Sequence, residues 1–343
     1  MITLFVSCSK EPGHGLNEGD VIRFTVQSAD METRTMYGER TSTKQPILWV
    51  TGDEIHIVMY NPDNYAGDHQ YAKYKVKAGG SSSAEIELCD GYEALTYKSS
   101  QTKVVAYYLP GPVVGFDHAS PSSWGGSKGF LFYRFYPDQS GTVEEWPEDY
   151  DQHSSPVQNM DYAPLVVTPT NVTSAVVTLS FEPLFTAFEI TVKNTYWYAR
   201  YVYGLRIWSN DYDGIVGDYV VRDITDPFSG SLATYFSAFP PTYYAGMDYS
   251  FDGEYNNAWL ARVNGQYEYN EGWQYVDDCG TFTFTIFCPP LTYSNMSIQI
   301  CGGELGNNEG NNEFITTYPL TMGSQPIQFA AKKKHVIEIE LPT

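Results

Sequence analysis

The chain has 343 residues, with a formal net charge of −21 from 41 acidic against 20 basic side chains. Such acidity repels a phosphate backbone and argues against nucleic acid as a partner. Twenty-nine glycines, 20 prolines and 16% aromatic residues against 18% charged favour many short strands joined by turns, and the length predicts two domains of about 150 residues.

At the N-terminus, Leu4, Phe5, Val6 and Ser7 precede Cys8, an apolar run ending in a small residue. The stretch resembles the lipobox of a bacterial lipoprotein, whose cysteine thiol is lipidated and begins the mature protein, with Phe5 where leucine is usual. Ser9, Lys10 and Glu11 resemble the short charged signal that sends lipoproteins of the Bacteroidetes to the cell surface. Too few residues precede Cys8 for a charged region plus an apolar run of about 7–15 residues, so the true start is expected to differ. The alternative is an ordinary N-terminal strand. No apolar stretch approaches the roughly 18 residues that a spanning helix needs, so attachment to a membrane is expected only through lipid on Cys8.

Pro12 to Asp20 is Gly-rich and polar, a tether. Val21 to Val26 is the first predicted strand, with Ile22, Phe24 and Val26 on one face. Gln27 to Lys44 has no apolar period and carries Arg34 and Arg40, which should be exposed. Ile47 to Tyr60 reads as a strand, a turn at Thr51 to Asp53 and a second strand with Ile55, Ile57 and Met59 alternating against His56 and Val58. Gly52 supplies the turn's unusual backbone angles. Tyr71 to Ala78 and Glu85 to Leu88 flank a Gly79 to Ser83 turn, and Val104 to Leu109 is a buried strand. Long loops, Pro110 to Gly129 and Gly141 to Gln158, flank the Phe130 to Tyr136 strand and are either a binding face or plain surface excursions. Val176 to Asn194 is the strongest strand signal: Val177, Leu179 and Phe181, then Phe188, Ile190 and Val192, alternate with polar residues on either side of Pro183. Pro183 lacks the N–H that a ladder needs, and so marks a bend or bulge between two strand segments.

Several of these segments together resemble the fimbrillin-like proteins of the Bacteroidales. The resemblance is carried by Phe24, Thr33, Arg34, Trp49, Gly52 and Asp53; by Tyr107, Tyr108 and Pro110; by Asp161, Tyr162 and Ala163; and by Leu179, Ser180, Phe181, Leu184, Phe185 and the Ile190 to Asn194 strand. Pro183 stands where many members carry His or Arg. The resemblance implies a fimbrial subunit made as a lipoprotein precursor, built from two β-sandwich domains of transthyretin-like form. It also implies that an arginine-directed protease removes the first strand of a stalk subunit, for which Arg34 or Arg40 would be the site.

Beyond Asn194, Tyr201 to Ser209 is a strand. Asp211, Asp213 and Gly214 resemble the opening of a calcium loop, but the closing glutamate is missing, and a hairpin turn is expected instead. Thr281 to Phe287, Met296 to Ile300, Phe314 to Leu320 and His335 to Leu341 are closing strands; in the last, Ile337, Ile339 and Leu341 alternate with Glu338 and Glu340. Lys332 to Lys334, the only basic cluster, reads as a solvated turn before that strand. The cysteines, Cys8, Cys89, Cys279, Cys288 and Cys301, form no CxxC pair, which disfavours structural zinc. Cys279 and Cys288 either meet across a hairpin or are buried free thiols.

Motifs of nucleophilic, phosphate-binding and zinc-protease chemistry are absent, and the six histidines, at 14, 56, 69, 118, 153 and 335, are scattered without ligand spacing. Glu144, Glu145, Asp149 and Asp151 around Trp146 are the best case for glycoside hydrolysis, though acidic loop residues are abundant throughout. The expectation is therefore an all-β protein without enzymatic activity, cofactor or metal: a tether over residues 1–19, one sandwich over 20–172 and another over 173–343. It would be a structural or accessory fimbrial subunit at the cell surface, associating with itself or other fimbrial subunits by strand exchange through Ile22, Phe24 and Val26 at one end and Ile337, Ile339 and Leu341 at the other. The alternative is a monomeric surface lipoprotein that binds host or bacterial glycan, or protein, through Trp146 and the Tyr243 to Trp273 region.

Overall fold

The computed structural model describes residues 15–28, 36–37, 47–110, 114–119, 128–135, 163–195, 200–209, 215, 217–232, 257–260, 274–276, 281–304 and 313–341. In chain order the strands begin with β1 (Arg23–Ser28), β2 (Met36–Tyr37), β3 (Ile47–Leu48), β4 (Glu54–Tyr60), β5 (His69–Val76), β6 (Ser83–Leu88) and β7 (Lys103–Tyr108). Then come β8 (Val114–Asp117), β9 (Phe130–Phe135), β10 (Leu165–Asn171), β11 (Val176–Pro183), β12 (Thr186–Lys193), β13 (Arg200–Ser209), β14 (Gly217–Val221) and β15 (Ser231–Leu232). The series ends with β16 (Asn257–Leu260), β17 (Gln274–Val276), β18 (Thr281–Cys288), β19 (Met296–Glu304), β20 (Glu313–Pro319), β21 (Thr321–Met322), β22 (Gln325–Pro326) and β23 (Lys334–Glu340). The helical element among the described residues is a single 3-10 turn, Pro227–Ser229.

Seven strands close into a barrel in the order β1-β11-β10-β7-β4-β5-β6. The protein is all-β, as composition and alternation predict, but here the expected open pair of sheets gives way to closure. The physical reason lies in β1, which pairs with β11 on one side and β6 on the other and so leaves neither an exposed edge. β11 lies beyond the residue at which the first domain was expected to end, and it belongs to the barrel. Its continuation β12 enters a different sheet, β18-β12-β23. Pro183 is the last residue of β11, where a missing N–H interrupts no further pairing.

The barrel core holds Ile22, Phe24, Val26, Trp49, Ile55, Ile57, Leu165, Leu179 and Phe181, and it continues under a four-stranded sheet, β15-β14-β9-β8, through Leu131, Tyr133, Phe135 and Tyr219. That extension explains a departure in β4. Val58, expected on the solvent face, is fully buried together with Met59 and Tyr60, because the end of the strand is covered on both sides. A second core joins Phe188, Ile190 and Val192 of β12 to Ile298 and Ile300 of β19 and to Ile339 and Leu341 at the C-terminus. β19 lies in a sheet of order β16-β13-β19-β20, with β17 also on β13.

Candidate strand-exchange site

The first strand is held by local sequence on one face and by distant partners on both edges. Ile22, Phe24 and Val26 are buried while Val21, Arg23 and Gln27 point outward, the alternation that a half-buried strand requires. The ladder begins at Arg23, two residues later than predicted, because Ile22 donates its N–H to the carbonyl of Leu95 at 3.0 Å and so lies outside the sheet pairing proper. β1 runs parallel to β11, with Phe24 opposite Val177 and Val26 opposite Leu179, and antiparallel to β6, with Val26 opposite Ala84. Arg23 N–H donates to Ala175 O at 2.8 Å and Ser28 N–H to Ser82 O at 2.9 Å, anchoring both ends. Inside, the Phe24 ring meets Tyr74 edge-on with centroids 5.5 Å apart, and the Tyr74 hydroxyl accepts the Leu95 N–H at 3.3 Å. Burial raises the pKa of this phenol, keeping it a neutral hydrogen-bonding group. At about 1.5–3 kcal/mol per large apolar side chain, the three inward residues of this segment contribute several kcal/mol of burial.

Next to this slot the fold gathers residues that are far apart in sequence. Trp49 is fully buried, edge-on to Phe181 at 5.1 Å and to Tyr108 at 5.6 Å. The Tyr108 hydroxyl donates to Asp53 Oδ1 at 3.2 Å, while the other carboxylate oxygen accepts the Val50 N–H at 2.8 Å across the Gly52 turn. Burial raises the Asp53 pKa, opposed by these two hydrogen bonds. Gly52 has φ +92°, as its turn demands. Five residues that carry the fimbrillin-like resemblance, Trp49, Gly52, Asp53, Tyr108 and Phe181, thus share one structural cluster.

At the other end, β23 runs parallel to β12 and is, among the described strands, at the edge of the β18-β12-β23 sheet. Ile339 and Leu341 are buried and Ile337 packs partly against the second core, whereas Val336 is exposed. Leu341 N–H donates to Lys193 O at 2.9 Å. Lys334, expected in a solvated turn, is the first residue of β23 and is buried in an ion pair with Glu189 of β12.

The two sets of strand-exchange residues are not brought together within one chain: the first lies in the barrel core and the second in the C-terminal core. Cys8, Arg34, Arg40, the acidic residues around Trp146, Asp211 to Gly214 and Cys279 lie outside the described residues, as does the Tyr243 to Trp273 region apart from β16, Asn257–Leu260, which pairs with β13. Cys288 is a buried free thiol, and desolvation pushes its pKa well up, so it behaves as a small apolar group. Sequence reasoning missed the contributions of Tyr74, Leu95 and Ala175 to the first-strand slot, since contacts between segments so far apart leave no local pattern.

No protein-family model matches the chain, and no curated protein matches it in sequence. Among solved structures it is similar to a candidate cell adhesion protein of Bacteroides uniformis, at 12% identity and TM-score 0.43, over 94% of this chain and 92% of that one. It is also similar to a candidate cell adhesion protein of Bacteroides ovatus, at 10% identity and TM-score 0.44, over 91% and 96% of the two chains. A third, a fimbrial protein of Bacteroides vulgatus, is similar at 13% identity and TM-score 0.40, over 94% and 95%.

Proposed function

We propose that the protein is a structural or accessory subunit of a bacterial surface fimbria, without catalytic activity, exported as a lipoprotein through Cys8 and assembled by strand exchange. The observation that carries this reading is the place of β1, the strand that closes the barrel between β6 and β11. Its removal would leave two facing strand edges and an apolar slot lined by Tyr74, Val177 and Leu179, which an extended segment of another subunit can fill. Ladder hydrogen bonds supply affinity, and alternate side chains supply register. The edge strand β23, with Ile337, Ile339 and Leu341, is the segment this chain could offer in return.

Arg34 and Arg40 follow β1 in sequence, where cleavage would separate β1 from the rest of the barrel. The test is low-dose trypsin followed by native mass measurement. Cleavage after Arg34 or Arg40, loss of the N-terminal segment and appearance of ladders of subunits are expected. A cleaved product that has lost Arg23–Ser28 and stays monomeric at high concentration rejects the reading.

A further inference from the structure

The fold joins two histidines that are far apart in sequence and that the proposed assembly does not use. His69 opens β5 in the barrel, and His118 immediately follows β8 in the four-stranded sheet, so the pair sits where those two sheets meet. Their ring nitrogens, His69 Nε2 and His118 Nδ1, face each other at 3.2 Å. His69 Nδ1 lies 3.0 Å from the carbonyl of Tyr65, and because a carbonyl only accepts, this nitrogen carries the proton. His69 Nε2 is then the acceptor of the contact and His118 Nδ1 its donor, so an ion entering here must displace the His118 Nδ1 proton, to solvent or to Nε2 of the same ring.

Both rings are fixed before any ligand arrives. His69 stacks on Tyr65, with centroids 5.0 Å apart and planes 7° apart, and His118 stacks on Tyr71 at 4.0 Å and 22°. Tyr65 also ties the two sides together, because its hydroxyl donates to the backbone carbonyl of His118 at 3.0 Å. Both histidines are half-buried, leaving a path for a small ion.

From this geometry we propose that His69 and His118 form a two-imidazole site for a borderline divalent transition ion, of the class of Cu²⁺, Ni²⁺ or Zn²⁺. With metal–nitrogen bonds of about 2.0–2.1 Å, two ligands on one ion stand about 2.9 Å apart at a right angle and about 3.3 Å apart at the tetrahedral angle. The observed separation falls between these values, so the two nitrogens already stand at the spacing that two ligands of one ion require, and binding turns the rings, inclined at 68°, from each other towards the ion. The proton on His69 Nδ1, held by a backbone carbonyl, is the outer-shell arrangement that fixes a ligating imidazole's tautomer. Imidazole donors select this class of ion over calcium or magnesium. Among the described residues no group of three or more His, Cys, Asp or Glu converges, so the proposed site counts these two imidazoles as its ligands from them. A bound ion would staple the barrel to the β8 sheet, and Cu²⁺ should bind most tightly of the three.

The experiment is titration of the untagged full-length chain with CuCl₂, NiCl₂ and ZnSO₄ by calorimetry, with electron paramagnetic resonance of the copper form. One Cu²⁺ per chain is expected, with superhyperfine splitting from two imidazole nitrogens and a raised thermal midpoint. His69→Asn and His118→Asn should each weaken binding by about tenfold or more, while His335→Asn, in a different part of the fold, leaves it unchanged. Equal affinity in the wild type and both site variants overturns the proposal, and so does a wild-type copper spectrum without nitrogen splitting, which needs no variant to fold.

Discussion

Lys334 of β23 and Glu189 of β12 form an ion pair with both side chains buried, at a diagonal position in a parallel ladder where Lys334 stands opposite Ala187. Two charges taken out of water cost several kcal/mol each, recovered only while they remain together. Lys334→Met or Glu189→Leu alone should therefore destabilise the protein by about 3–5 kcal/mol, whereas the double substitution should recover most of that loss. Urea denaturation of the three variants measures this. Additive losses in the double variant would show that the pair is not the source of the effect.

The first strand gives a second contrast. Phe24→Ala removes the ring packed against Tyr74 and should cost about 3–5 kcal/mol. Val21→Ala, at a position 54% exposed, should stay within about 0.5 kcal/mol of wild type. Denaturation midpoints at unchanged slope provide the comparison.

Gly79 lies against the Trp49 segment, where an added Cβ would come within 2.6 Å of Trp49 O and Thr51 N. Both are backbone atoms and cannot swing aside, so Gly79→Ala should cost about 1–3 kcal/mol by overpacking. Gly15→Ala, with open space around it, should be neutral. A thermal midpoint that falls equally in both variants would contradict the close approach.

His56 predicts a pH dependence. Desolvation, aided by the positive charge of Lys73, lowers its pKa from 6.5 to about 4 in the folded state. The unfolded chain therefore takes up the proton first as pH falls. The stability contributed by neutral His56 is complete above the unfolded value of 6.5 and is lost progressively down to about 4, below which the loss levels off. His56→Gln, which retains a polar group towards the Tyr71 hydroxyl, should flatten the fall in urea midpoint between these limits relative to wild type. Parallel profiles for the two proteins would assign the pH dependence to other groups.

Local chemistry made much of the architecture readable in advance. The alternation of Ile22, Phe24 and Val26, of Ile55 and Ile57, and of Val177, Leu179 and Phe181 predicts buried faces that the structure contains, because a strand's two-residue period is written in neighbouring residues. Gly52 at φ +92° and Pro183 at the end of β11 are likewise local matters, fixed by backbone sterics and a missing donor. Which edges meet is not local. The parallel pairings of β1 with β11 and of β12 with β23 join segments separated by well over a hundred residues, and only these pairings close the barrel and seat the last strand. They also decide burial where one strand serves two layers, as at Val58, and they bury the Lys334 side chain against Glu189 instead of leaving it at the surface. The meeting of His69 with His118 has the same origin: spacing along the chain carries no ligand pattern, and the contact exists because the barrel and the β8 sheet share a seam. Periodicity states what each strand will bury; the register between distant strands, set by the summed packing of the whole core, determines which side chains face one another.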